Sequence, residues 1–261
     1  MATTTSISTS VSAMTAPLSE LPFELSLLAN AHQYQKWVAD SVAPYLGHRI
    51  LEVGAGIGNM SQHLPLNELL VLSEVEPSLI SILEKRIRDQ HLDRDNVRIH
   101  PMDLNKDFVQ EFQSFDLDTI VSFNVLEHIK DDAKVLSSFV KLLEKSKATG
   151  PKRIVTFVPA HQWAYGSLDK MFDHYRRYSA GQFRALAKSI DFKGSIETRY
   201  FNLIGLGGWF VTGRILKKQK IDPSTVATFE KICPWIRGFD DFIHKTLRVP
   251  FGQTLLAVIT L

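Results

Sequence analysis

The sequence predicts an α/β protein built on a doubly wound, mainly parallel sheet, and three observations carry that prediction. Short apolar runs alternate with helix-patterned segments between about residues 49 and 158. The first run, 49–53, leads into glycines at every second position (Gly54, Gly56, Gly58), as when a buried strand turns sharply and its backbone must approach a ligand. Later runs end on acidic or amide residues at Glu74, Asp103 and Asn124. In such sheets ligands sit beyond the carboxyl ends of the strands, where strand order reverses, so these side chains should converge on one crevice.

Each element has its own local reason. Residues 25–46 carry apolar and aromatic side chains at helical spacing (Leu28, Tyr34, Trp37, Val38, Val42), which predicts a leading helix. After the strand at 49–53, a helix is expected through about residue 64. A second strand, 68–73, is followed by a helix at 78–88 that starts just after Pro77. Strands at 97–100 and 117–123 flank a helix at 105–112. The helix at 131–145 has acids at its start and lysines at its end, matching the helix dipole. A fifth strand at 153–158 is closed by Pro159, a helix follows at 179–190, a sixth strand ends near Phe201, and the last strand is 254–261.

Composition sets limits. A chain of 261 residues holds one large domain with insertions or two small ones. It is 44% hydrophobic and 22% charged, the balance of a soluble globular protein, and a net charge of +2 gives no electrostatic case for nucleic acid. Cys233 is the only cysteine, so an intrachain disulfide or cysteine-based metal site is excluded, and a reducing cytoplasm fits. Residues 1–17 carry no charge and are rich in Ser, Thr and Ala. They lack the features of a secretory or transit peptide, so 1–22 reads as a disordered tail and 23–261 as the folded domain.

The glycine turn fails the dinucleotide fingerprint, whose sixth position is Asn59 here, and that fingerprint has no place for Glu52. An acid-x-Gly-x-Gly-x-Gly loop resembles motif I of the class I S-adenosylmethionine-dependent methyltransferases. The run from Leu51 to Gly58, then Glu74, Asp103 and Asn124-Val125-Leu126-Glu127-His128-Ile129, matches the core of that superfamily in order and spacing over roughly residues 30–200. The blocks Val158-Pro159-Ala160, Tyr165-Gly166-Ser167-Leu168-Asp169 and His174-Tyr175-Arg176-Arg177-Tyr178-Ser179 look like its small-molecule branch. The resemblance implies a Rossmann-like seven-stranded fold, methyl transfer, and S-adenosylmethionine as donor.

Each part of that cofactor makes a demand. The ribose hydroxyls want a carboxylate after the second strand, about 20 residues beyond the glycine turn, and Glu74 stands there; Glu76, directly before Pro77, is the weaker rival. Asp103 can accept from the adenine amino group, with Met102 and Leu104 against the ring, though it also suits a helix N-cap. Glu52 would meet the methionine ammonium. Backbone at Gly54, Ala55 and Gly56, together with Gly58, Asn59, Val75, Asn124 and Tyr34, completes the expected cofactor set.

Methyl transfer from an activated donor needs mainly alignment, plus a base where the nucleophile is protonated. His174, His161 and His128 are the candidate bases, in that order, each weighed against a structural hydrogen-bonding role. Tyr165, Tyr175, Arg176, Tyr178 and Trp209 are candidate substrate contacts, with Arg177 able to meet a substrate anion. No metal set can be picked out, and Asp131-Asp132 is better explained as a helix start.

The chain departs from the family pattern near its end. In the usual fold strands six and seven form a close hairpin; here about fifty residues intervene, too many for an ordinary connection. The segment at about 202–250 is apolar at helical spacing and includes Arg214, Lys217, Lys218 and Lys220. It reads as a helical lid over a substrate pocket, or as an amphipathic face for peripheral membrane contact. Three functions follow: a methyltransferase acting on O, N or C of a small specialised metabolite of natural-product type, one acting on a lipid or glycan precursor at a membrane, or a non-catalytic S-adenosylmethionine-binding protein. Oligomeric state is not legible.

Overall fold

The computed structural model describes residues 23–92, 95–218 and 220–261; the expected tail at 1–22 lies outside the described residues. Strands β1 (Arg49–Val53), β2 (Leu69–Glu74), β3 (Val97–Pro101), β4 (Thr119–Phe123), β5 (Arg153–Pro159), β6 (Ser195–Phe201) and β7 (Thr254–Thr260) form one sheet in the order β3-β2-β1-β4-β5-β7-β6. The first five strands are parallel, and β7 runs antiparallel between β5 and β6. Strand order reverses between β1 and β4, which opens a crevice at their carboxyl ends.

The central strands are covered on both sides, which is why they read as unbroken apolar runs. Alternate residues feed two cores. Leu51, Val71, Ile120 and Ile154 join Phe139, Val140 and Phe183 from helices α5 (Asp132–Glu144) and α7 (Ala180–Ser189). Ile50, Leu70, Val121 and Val155 join Trp37, Leu83 and Ile236 on the other face, from α2 (His32–Val42), α3 (Pro77–Asp89) and α9 (Pro223–Lys245). Trp37 and Phe139 are fully buried, and truncating such a ring costs about 3–5 kcal/mol.

Several elements differ from the sequence reading. The leading helix is two pieces, α1 (Phe23–Leu28) and α2, broken at residues 29–31. The helix expected after the glycine turn is a single 3-10 turn, Ser61–His63. Gly58 at φ +82° delays any helix start and Pro65 disfavours α geometry at Leu64, leaving too few residues between them. The helix expected at 105–112 is only its last turn, α4 (Val109–Phe112). Elsewhere the caps behave as anticipated: Asp131 accepts from the Lys134 amide at 3.1 Å, and Ser179 and Gln182 form a capping box.

Between β6 and β7 the chain forms α8 (Leu203–Trp209), a π-helical stretch (Phe210–Ile215) and α9. Side chains tie this insertion to the sheet domain. The Glu230 carboxylate accepts from the Gln33 and Tyr34 amides at 2.8 and 3.0 Å, capping α2. Asp240 accepts from the Asn202 and Leu203 amides at 2.9 and 2.7 Å, and Arg237 pairs with Asp40 at 2.7 Å.

Candidate active site

The turn after β1 needs its glycines. Gly54 and Gly56 lie at φ +70° and +57°, where side chains are strained, and a Cβ on Gly54 would meet Val125 at 2.7 Å. The Gly56 amide donates to the Glu74 carboxylate at 2.9 Å, so the end of β2 holds the turn. Glu74 also accepts from the Val75 and Glu76 amides at 2.7 and 3.1 Å.

This turn floors a cavity of about 460 Å³ whose lining includes Glu52, Gly54, Ala55, Gly56, Asn59, Glu74, Val75, Met102, Asp103, Leu104, Asn124 and Tyr34. That is ample for a small-molecule cofactor. Glu52 is buried and accepts from the Ser61 hydroxyl. Burial pushes its carboxyl up to about 8; the Ser61 bond opposes this and the nearby Glu74 charge adds to it. Asp103 stands at the edge and accepts from the Asn105 amide at 2.9 Å, a bond that leads in holding its carboxyl low. Asn124 sits at φ +53°, a left-handed position that asparagine tolerates better than most residues, and donates its amide to Phe157 at 2.8 Å.

A second cavity of about 240 Å³ adjoins the first, and Leu28, Tyr34 and Asn124 line both. Its walls are largely apolar: Phe172 from the sheet domain, and Trp209, Ile221, Val226 and Phe229 from the insertion. Its polar lining includes His174, Arg177, Asn202 and Gln253. Buried Asp169, from α6 (Ser167–Met171), organises that side. It accepts from His174 Nδ1 at 2.9 Å and Arg177 Nε at 2.6 Å through one oxygen, and from the Gly166 amide at 2.8 Å and Trp209 Nε1 at 3.3 Å through the other. Burial works against its charge, and the His174 and Arg177 bonds outweigh that, holding the carboxyl below the usual range. The Arg177 guanidinium also lies 4.7 Å over the Trp209 ring.

A family model described as a methyltransferase domain matches residues 51–146, the segment that holds the glycine turn, Glu74, Asp103 and Asn124. By this match residues 51–146 form a methyltransferase domain. Solved structures share the fold. The methyltransferase domain of bacterial CtHen1 is 14% identical, with 88% of this chain and 98% of that one covered at a TM-score of 0.52. A candidate sarcosine dimethylglycine methyltransferase from Galdieria sulphuraria is 18% identical (94% and 89% covered, TM-score 0.51). The CurJ carbon methyltransferase is 14% identical (93% and 61% covered, TM-score 0.53). No curated protein matches the chain in sequence.

In this chain the expected site residues divide sharply. His128 lines the first cavity, and His174 and Trp209 line the second. Gly58 lines neither; a Cβ there would meet Leu83 at 2.9 Å, so its role is close packing of the turn on α3. His161 is also outside both, stacked on Tyr200 with ring centres 4.7 Å apart and against Trp163. Burial, then the Arg177 charge, lowers its pKa. Tyr165 is a brace whose hydroxyl donates to the His174 carbonyl at 2.7 Å. Tyr178 is buried with its hydroxyl on Asp132 at 2.7 Å, Arg176 pairs with the same carboxylate at 2.6 Å, and Tyr175 is exposed. These three face α5 or solvent, because the extended segment 174–178 runs beside the end of β5 and only His174 and Arg177 turn inward. Sequence reading missed Asp169 as the hub and Asn202 and Gln253 as lining. The last two are 2.8 Å apart in space and far apart in the chain, so no local signal marks them.

Proposed function

We propose that the first cavity holds S-adenosylmethionine and the second holds a small, largely apolar or aromatic acceptor, methylated at oxygen, nitrogen or carbon. The observation that carries this reading is the confluence of the two cavities at Leu28, Tyr34 and Asn124. The lining suits the cofactor. Glu52 is a buried carboxylate whose charge burial disfavours, a fit for an ammonium group, and the Gly54 turn leaves open the space a side chain would fill. Glu74 would take the ribose hydroxyls, Asp103 the adenine amino group, and Met102 and Leu104 the faces of the ring. Bound there, the cofactor supplies a methyl group activated for in-line displacement, so the protein's work is alignment. Tyr34 and Trp209 position the acceptor, and the His128–His174 face receives its reacting group.

Calorimetry tests the assignment. Glu74→Ala should weaken S-adenosylmethionine binding at least tenfold, since it removes a charged acceptor and releases the Gly56 amide. Trp209→Ala should leave that binding unchanged and lower turnover of a methyl acceptor found by screening phenols and amines. Equal cofactor affinity in wild type and Glu74→Ala would sink the site.

A second reading, contact with a lipid surface, is favoured by one feature. Ile232, Trp235, Phe239 and Phe242 form an exposed stripe along α9, with Trp235 83% exposed. Among the described residues no helix is long and apolar enough to cross a membrane. Co-sedimentation with anionic vesicles, lost on changing Lys217 and Lys218 to Glu, would support a peripheral methyltransferase; no sedimentation leaves the insertion as a pocket wall alone.

A further inference from the structure

Where the two cavities meet, three side chains with metal-ligating atoms converge. Glu127, His128 and His174 each bring one such atom within 4.8 Å of the others. Their origins differ: Glu127 and His128 lie on the 3-10 turn after β4 (Leu126–His128), and His174 begins the extended segment after α6. Glu127 is fully buried. The two imidazoles meet edge to face, with ring centres 4.8 Å apart.

The second observation is how His174 is held. Its Nδ1 donates to the fully buried Asp169 carboxylate at 2.9 Å, which leaves the lone pair of the neutral ring on Nε2. Nε2 is itself buried and has no hydrogen-bond partner among the described residues. Asp169 is fixed in turn by Arg177 and the Gly166 amide, and the His174 carbonyl is fixed by the Tyr165 hydroxyl. A carboxylate on one nitrogen of a histidine, with the lone pair left on the other, is the outer-shell arrangement that orients a metal-binding imidazole.

We propose that Glu127, His128 and His174 bind one divalent first-row transition-metal ion, and that this ion takes a hydroxyl oxygen of the methyl acceptor as a further ligand. Two imidazoles with one carboxylate favour manganese through zinc over magnesium, which prefers an all-oxygen shell. The location suits the role: His128 lines the cofactor cavity, His174 the acceptor cavity, and Asn124 both. The ion lowers the hydroxyl pKa, so the oxygen loses its proton to solvent water. That oxygen then bonds to the methyl carbon as the carbon–sulfur bond breaks, and the electron pair stays on sulfur. The acceptor half of the proposal rests on the function proposed above; the ion site does not.

The test uses the full chain, stripped with a chelator, dialysed and titrated with cobalt(II) chloride. A saturable visible absorption band at one equivalent is expected, displaced by zinc. His128→Ala and Glu127→Gln should each weaken binding at least tenfold, and Asp169→Asn about 10- to 100-fold through the outer shell. His128 is only half-buried, so its variant serves if the Glu127 variant fails to fold. The exposed His48→Gln should bind as wild type does. Absence of a one-equivalent band, or an unchanged band in His128→Ala, overturns the site. S-adenosylmethionine binding is measured on the same stripped protein. If cobalt binds and the cofactor does not, the function proposed above fails and the ion site stands; if the cofactor binds and cobalt does not, the reverse holds.

Discussion

The two cavities are built on different principles. The cavity proposed for the cofactor is made by strand ends: Glu52, Glu74, Met102 to Leu104 and Asn124 all lie at or just past the carboxyl ends of β1 to β4, so the parallel register alone brings them together. The cavity proposed for the acceptor is made by docking. Its residues come from α1, the segment after β4, the segment around 172–177, and an insertion placed by Asp240, Glu230 and Arg237. The first is a property of the sheet and tolerates change around it. The second depends on a few buried polar contacts, with Asp169 at their centre.

The sharpest way to break this contrast is Asp169→Ala. It removes a buried carboxylate from His174, Arg177, the Gly166 amide and Trp209 together, and leaves Arg177 as a buried charge with its main partner gone. Breaking such a pair costs about 3–5 kcal/mol, to be read from urea denaturation. The folded fraction should still bind S-adenosylmethionine with near wild-type affinity, because Asp169 does not line the cofactor cavity. Loss of cofactor affinity equal to loss of acceptor turnover would show that the cavities are one cooperative unit.

The same contrast explains what could be read from the chain. The strands of the sheet fall within about two residues of their expected bounds, because runs buried on both faces and punctuated by Gly and Pro admit few alternatives. Those strands carry Glu74, Asp103 and Asn124 to one crevice, and the sheet order puts the crevice where it was expected. The block at 174–178 was not legible in the same way. It lies beside β5, and which of His174, Tyr175, Arg176, Arg177 and Tyr178 turns inward is decided by α5 and α6, which lie far from one another in the chain. His161 has the same cause: an imidazole after a strand suggests chemistry, yet its ring stacks on Tyr200 from β6 and on Trp163 two residues further along. Residues 61–64 failed for a local reason, the positive φ at Gly58 close to Pro65.

A smaller effect sharpens the cofactor side through pH. Glu52 has a folded pKa of about 8 against 4.5 for the free side chain, so between those values the folded state holds a proton that the unfolded state has lost. Stability from this group is therefore complete below about pH 4.5 and is lost as pH rises through 8. His128 works oppositely at the acid end. Burial first, then the His174 charge, lowers it to about 4, so its contribution is present above 6.5 and lost as pH falls towards 4. The clean window is thus pH 6.5 to 8. There Glu52→Gln should flatten the decline of cofactor-free stability and raise stability at pH 8, while weakening S-adenosylmethionine binding. An ammonium group beside Glu52 would draw its pKa down, so wild-type binding at pH 7 should release protons, seen as a buffer-dependent heat in calorimetry. Heats that do not depend on buffer would remove Glu52 from the ammonium site.

The smallest expected effects lie on the outer side of the 174–178 segment, and they test whether the inside–outside division is real. Tyr175 is 58% exposed, with the Arg176 guanidinium 5.9 Å from its ring centre. Arg176 is itself partly exposed where it pairs with the buried Asp132, whose carboxylate keeps the Tyr178 hydroxyl when Arg176 is lost, and Arg176 lines neither cavity. Tyr175→Ala and Arg176→Ala should therefore shift stability by about 1 kcal/mol at most and leave cofactor affinity and acceptor KM unchanged. Sequence proximity to His174 and Arg177 argues the opposite, since all five residues sit in one block. If either variant raised KM several-fold, the segment would have to turn over when acceptor binds, and the acceptor site would reach around β5 to the face that Asp132 and Gln182 now share with it.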